Sequence, residues 1–243
     1  MEFPAYLATM PMHAITEIHG EAGLRERFRL EIQRFEPADR DRLTAALDLA
    51  GELHRSDRRV REPYLNHLLR VSIRMLHHYD VHDVDVVVAG LLHDAVEDHP
   101  AELAGTTAGD ADPTEAALDT LARRFGPRVA RLVGAVTNPA YAPDRDRNTQ
   151  YREHVASSLD REPWARVIKV SDFTDNGVGV IHTTGPKVVS SARKYRPLVP
   201  VFRELIGRAD TPLSDRVKQH IFQQLDLAEE RFSAILDQPA PTA

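Results

Sequence analysis

Apolar positions recur along this chain at the three- and four-residue spacing of amphipathic helices, and no stretch alternates with period two between hairpin turns. Leu24, Phe28 and Ile32, with Phe35 next, predict a helix over residues 23–35. Pro37 opens a second, over 38–53, with Leu43, Ala46, Leu47 and Ala50 on one side. A third, over 64–79, turns Leu65, Leu68, Leu69, Ile73 and Leu76 inward. Residues 84–92 are predominantly apolar and predict a buried helix that continues to residue 98. Thr114 is a good N-cap for 115–125, and Gly126-Pro127 separates that helix from 128–137. Further helices are predicted over 149–159, 163–181, 187–206 and 213–236. Residues 1–20 mix apolar positions with Pro4 and Pro11 and read as an arm on the surface. Residues 99–112, rich in Gly, Ala and Thr, and the proline-punctuated 138–148 read as loops, and 238–243 as a disordered tail. The pattern predicts an all-α protein of one domain and about ten helices.

Composition narrows the function classes. A net charge of −6 gives no global attraction for nucleic acid or an anionic membrane, so neither is expected as a partner. The chain has no cysteine, which excludes disulfides and thiolate-built zinc sites. No signal peptide or membrane-length apolar run is recognisable, so the expected compartment is the cytoplasm. A homo-oligomer is left open.

The stretch with most chemistry is Leu-Leu-His-Asp-Ala-Val-Glu-Asp, ending in His93, Asp94, Glu97 and Asp98. On a continuous helix these four fall at roughly 0°, 100°, 40° and 140°, sharing one arc. Three carboxylates and an imidazole amid apolar neighbours are costly to bury unless paired or bound to a metal. A solvated face with a salt bridge is the competing reading, and the apolar flanks oppose it. His67 sits amid the apolar pattern of its own helix; alone it would read as a core histidine. A second stripe, Lys169, Asp172 and Asn176, lies on one face at i, i+3 and i+7. Its plain reading is a Lys169–Asp172 ion pair. Oxygen donors joined by imidazoles suit Mn²⁺, Mg²⁺ or Fe²⁺. Four arginines in 55–61 read either as a solvated turn or as an anion or base contact.

These segments, in order, resemble the HD superfamily of metal-dependent phosphohydrolases, and within it the hydrolase domain of RelA/SpoT-type alarmone enzymes and stand-alone small alarmone hydrolases. The His54–Arg59 segment followed by EPYLNH, then LLHDAVED, RRFGPRVARLVGAVT and VIKVSDFTDN match that family's motifs across residues 43–206. The resemblance implies a single HD-type helical domain over 37–207, with 1–36 as arm and helix and 208–236 as a helix packed on it. It implies His67, His93, Asp94 and Asp172 as ligands to Mn²⁺, with Mg²⁺ or Fe²⁺ as alternatives. It implies Glu97 and Asp98 as the catalytic carboxylates, and Arg59, Lys169 and Asn176 as substrate contacts, Arg59 on the base. The implied reaction removes the 3′-pyrophosphate of (p)ppGpp, giving GDP or GTP and pyrophosphate, in the stringent response or as antitoxin to an alarmone synthetase. Two alternatives are an HD phosphohydrolase for another nucleotide or phosphoester, and a catalytically idle HD binding module. The family's Asp-Arg-Leu-His-Asn reads Asp172-Phe173-Thr174-Asp175-Asn176 here, and the arginine loop is one residue shorter, so Arg58 competes with Arg59 for the base.

Overall fold

The computed structural model describes residues 5–105 and 113–237, and within them the chain is helical with no strand. Eleven helices of eight residues or more and two shorter ones are present among the described residues. The chain divides into two compact units, Met1–Thr137 and Asn138–Ala243. The hydrolase span expected over 37–207 runs across that division. No helix among the described residues is long and apolar enough to cross a membrane.

The first unit holds α1 (Met12–Ile32), α2 (Pro37–Leu53), α3 (Leu65–His77), α4 (Val84–Leu91), α5 (Ala95–Asp98), α6 (Pro100–Ala104), α7 (Pro113–Phe125) and α8 (Pro127–Val136). Its centre is α3 against α4, with α1 laid on α3, and α2 and α8 on α4. Every residue of α3 from Leu65 to Leu76 is buried, as is α4 from Val86 to Leu91. The two helices approach closely at Gly90, where a β-carbon would lie 2.2 Å from Met75 Cε. The outer helices are fixed by charge. Asp83 caps α4 through the Val86 amide and also takes both ends of the Arg128 guanidinium, at 2.6 and 2.7 Å. Asp85 holds Arg42 of α2 at 2.7 Å, and the same guanidinium nitrogen donates to Phe125 O at 2.8 Å. Carboxylates at a helix N-terminus also complement its dipole.

Residues 1–20 are not wholly a surface arm. A 3₁₀ turn, Ala5–Thr9, and the start of α1 at Met12 bury Leu7 and Ile15 completely. Gly20, at φ 61°, kinks α1, and the buried Arg27 ties the turn to the helix by donating to Leu7 O at 2.5 Å. The expected 84–98 helix is broken at 92–94 for a reason given below. The expected 99–112 loop contains α6; residues 106–112 of it, like the 238–243 tail, lie outside the described residues.

The second unit holds α9 (Arg147–Asp160), α10 (Pro163–Asn176), α11 (Lys187–Tyr195), α12 (Val199–Gly207) and α13 (Asp215–Leu236). The helix expected over 163–181 ends at Asn176 and passes into a 3₁₀ segment, Val178–His182. The one expected over 187–206 is split by the 3₁₀ turn Arg196–Leu198, where Pro197 and then Pro200 lack the amides a continuous helix needs. Around α10 the core is aromatic: Phe173 packs on Phe202, Tyr195 and Phe232 at ring separations of 4.9, 6.1 and 6.4 Å. The fully buried Arg166 donates to Leu159 O and Asp160 O at 2.8 Å, to Thr211 Oγ1 at 2.9 Å and to both Asp210 oxygens.

This network yields a stability test. Arg166→Met takes the guanidinium donors from the buried Leu159 carbonyl, the part-buried Asp160 carbonyl and the Thr211 hydroxyl, which keeps its bond to Leu205 O, and is expected to lower stability by about 3 kcal/mol, read from the urea midpoint. Asp210→Asn removes only the exposed partner and is expected to cost under about 1 kcal/mol. Equal midpoints for the two variants would show that the carbonyl contacts are not what Arg166 contributes.

Candidate metal and catalytic centre

The break between α4 and α5 shapes the first unit's polar cluster. His93 turns its ring back so that Nδ1 lies 2.8 Å from Gly90 O, the carbonyl that the next turn of helix would use. Ala95 N then bonds Leu92 O, three residues back, in the tighter 3₁₀ manner. Gly90 O can only accept, so Nδ1 carries a proton and Nε2 is the nitrogen left to offer a lone pair to an ion. Nε2 faces Asp94 Oδ2 at 3.1 Å, and His67 Nε2, delivered from the middle of α3, lies 3.8 Å from the same oxygen. The two imidazole rings are 5.4 Å apart and both residues are 1 % exposed.

Electron pairs converging in a buried place repel unless a cation lies among them. Two imidazoles and a carboxylate are the donors a divalent ion takes, so the residues present fit such an ion. Hydrogen bonds support two of the three donors: Gly90 O orients His93, and Tyr64 Oη donates to Asp94 Oδ2 at 2.8 Å. Burial, then the charges of Asp94 and Asp98, push the Tyr64 hydroxyl far above the ordinary phenol range, so it remains a donor.

Glu97 and Asp98 follow on α5 and are exposed. Asp98 N closes back on Asp94 O at 2.9 Å. Although Asp98 has exposed area, protein around its carboxyl strips hydration, and Asp94 and Glu97 add negative charge, pushing it up to about 6. The expected arc on one continuous helix is therefore replaced by a turn and a short helix, with His93 and Asp94 in the turn and the other two carboxylates beyond it.

Arg59 lies with its guanidinium 5.9 Å from the centre of the Tyr64 ring and is half-buried, whereas Arg58 is exposed. The Arg59 amide donates to Glu62 O at 2.9 Å, folding the arginine turn onto Pro63 and Tyr64. In the second unit Lys169, Asp172 and Asn176 meet on one face of α10, as their spacing predicts. Lys169 Nζ is 3.1 Å from Asp172 Oδ2, and Asn176 Nδ2 donates to Oδ1 at 2.6 Å. Asp172 is 6 % exposed. The departure at position 173 has a structural explanation: the side chain there enters the aromatic core of this unit.

One cluster escaped the sequence reading. Asp57 Oδ2 takes His54 Nδ1 at 2.8 Å and His99 Nε2 at 2.6 Å. His54 also stacks on Tyr64, with ring centres 4.8 Å apart and 13° between planes. The available signal was the His-x-x-Asp spacing of His54 and Asp57; nothing linear links it to His99.

Residues 46–161 match the family described as HD domain. The mouse (Mus musculus) guanosine-3′,5′-bis(diphosphate) 3′-pyrophosphohydrolase MESH1 is 33 % identical over 133 residues, which is 54 % of this chain and 64 % of the mouse protein. The human (Homo sapiens) protein of that name is 32 % identical over the same length and shares. A guanosine-3′,5′-bis(diphosphate) 3′-pyrophosphohydrolase of Aquifex aeolicus is 28 % identical over 161 residues, 65 % of this chain and 20 % of that one. The chain thus spans a little under two thirds of the mouse and human relatives. A solved structure, of a protein described as a metazoan ortholog of SpoT that hydrolyzes ppGpp, superposes with a TM-score of 0.55 at 26 % identity, covering 76 % of this chain and 96 % of that one. Residues 46–161 thus match the HD-domain family, and the chain shows homology to the MESH1 and SpoT-type (p)ppGpp hydrolases.

Proposed function

We propose that this protein hydrolyses the 3′-pyrophosphate of a guanosine 3′,5′-bis(diphosphate)-type nucleotide, using a divalent cation, Mn²⁺ with Mg²⁺ or Fe²⁺ as alternatives. The observation that carries the reading is the convergence of His67, His93 and Asp94 beside the exposed Glu97 and Asp98, in a domain homologous to enzymes named for that reaction. His67, His93 and Asp94 would hold the ion, and the K-x-x-D-x-x-x-N resemblance supports Asp172 as a further ligand. When bound, the ion supplies Lewis acidity and neutralises phosphate charge.

The remaining work falls to the chain's own groups. Tyr64 holds the Asp94 carboxylate in one orientation. Glu97 and Asp98 face solvent and accept the proton that the attacking water loses; a carboxylate poised toward neutrality is a better base than an ordinary one. Arg59 offers a planar cation to a purine ring. Lys169 and Asn176 complete the substrate contacts in this reading, beside their contacts to Asp172. A nucleotide other than the guanosine one is favoured only by the changed 173–175 segment, and Phe173 there belongs to the core.

The direct test is pyrophosphate release from guanosine 3′,5′-bis(diphosphate) with Mn²⁺. Turnover is expected in the wild type, loss of metal and turnover in His93→Ala, and a fall of about 100-fold or more in Glu97→Gln with metal content retained. If that nucleotide is inert while other phosphoesters are cleaved, the guanosine reading fails and a broader phosphohydrolase takes its place.

A second expectation concerns pH. The Asp98 carboxyl is raised in the fold from its ordinary 3.8 to about 6, so its charged form is disfavoured there. Both states are protonated at low pH; stability is lost as pH rises from about 4 through about 6, and the loss is complete above that. In excess chelator, Asp98→Asn is therefore expected to melt higher than wild type at pH 7.5 and alike at pH 3.5–4, with Mn²⁺ narrowing the difference at pH 7.5. Melting curves that keep the same separation at both pH values would exclude this origin.

The third expectation is that Arg59→Ala raises KM by roughly 5- to 30-fold, the loss of ~1–2 kcal/mol from a desolvated stack, with Arg58→Ala near wild type. The reverse ranking would assign the base contact to Arg58.

A further inference from the structure

We propose that His54, Asp57 and His99 form a second divalent-cation site, of the zinc class, in the first unit. The proposal goes beyond the hydrolase reading and does not depend on it. The three donors come from two separated places, the turn that ends α2 and the residue that caps α6, and their ligand atoms all lie within 4.8 Å of one another. Two imidazole nitrogens and one carboxylate oxygen are borderline donors that favour Zn²⁺ over Mg²⁺, and three protein ligands leave a fourth position open.

The proton inventory supports the assignment. Asp57 Oδ2 accepts from both rings, at 2.8 and 2.6 Å. A cation entering there needs His54 Nδ1 and His99 Nε2 as lone pairs, so each ring proton moves to its other nitrogen. For His54 that nitrogen, Nε2, is buried with no hydrogen-bond partner, so the proton displaces no existing bond but gains no acceptor, a cost that the ion's bonds must offset. For His99 the other nitrogen, Nδ1, already lies 3.7 Å from Glu102 Oε2, so the displaced proton points at a carboxylate. Glu102 is itself held by Arg55, Nη1 to Oε1 at 2.7 Å. A carboxylate behind a ligating imidazole is the usual support of a metal-bound histidine. The His54 ring is 2 % exposed and flanked by Tyr64 at 4.8 Å and His99 at 4.7 Å, so its position is set before any ion arrives.

This site and the His67–His93–Asp94 set have a neighbour in common. Tyr64 stacks on His54 and donates to Asp94. An ion on Asp57 would tie the arginine turn to the cap of α6, fixing the segment that carries Arg58 and Arg59.

The test uses the full chain, stripped with chelator and then titrated with Zn²⁺ by equilibrium dialysis and with Co²⁺ by visible absorption. Wild type is expected to bind two equivalents. Asp57→Asn and His99→Ala are each expected to bind one, with the affinity of the lost equivalent weakened about 100-fold or more. His93→Ala is expected to lose the other equivalent and keep this one, so failure of either site is read separately. A wild type that binds one equivalent, lost in His93→Ala, overturns the proposal; so does a second equivalent that survives both Asp57→Asn and His99→Ala. Far-UV circular dichroism and melting curves check the fold. If His99→Ala does not melt cooperatively, Asp57→Asn, which keeps the side chain's size and shape, decides whether the site exists.

Discussion

A single hydrogen bond, from the His93 ring to the Gly90 carbonyl, governs the centre of the first unit. It withdraws an acceptor from the helix, and so ends α4 at Leu91, just before the polar residues. It fixes which ring nitrogen carries the proton, and so which one faces Asp94. The donor set further needs α3 and α4 close enough for His67 to reach the same carboxylate, which the bare backbone at Gly90 permits. Packing, tautomer and donor geometry are thus set by one local choice.

The helical class and most element positions were legible, because 3.6-residue periodicity is a direct image of which face is buried. The misreadings have physical causes. A side chain that competes with the backbone for a carbonyl leaves no trace in hydrophobic periodicity, so residues 84–98 read as continuous. The start of α1 was missed because its first turns bury only Ile15, and a kink at Gly20 scrambles the phase. Pro197 and Pro200 were visible, but the apolar pattern on either side of them masked the break.

At the site, the residues within motifs were legible by resemblance, and the contacts that orient them were not. Tyr64 belonged to a quoted motif without an assigned part; only the fold brings its hydroxyl to Asp94. The Asp57 cluster depends on His99 meeting a turn 42 positions earlier in the chain. Phe173 read as a departure from a substrate-binding pattern, whereas its surroundings make it a core residue. A charged group at that position would have to leave the aromatic cluster or disrupt it.

The contact between Gly90 and Met75 bears on how the sequence can vary through evolution. The methyl end of Met75 fills the volume that any side chain at position 90 would need, so the two positions share one fixed space. A β-carbon at position 90 requires the flexible end of Met75 to swing aside, and a larger side chain there favours a shorter one at 75. Drift at this pair is therefore coupled: what position 90 can hold depends on where the end of residue 75 lies.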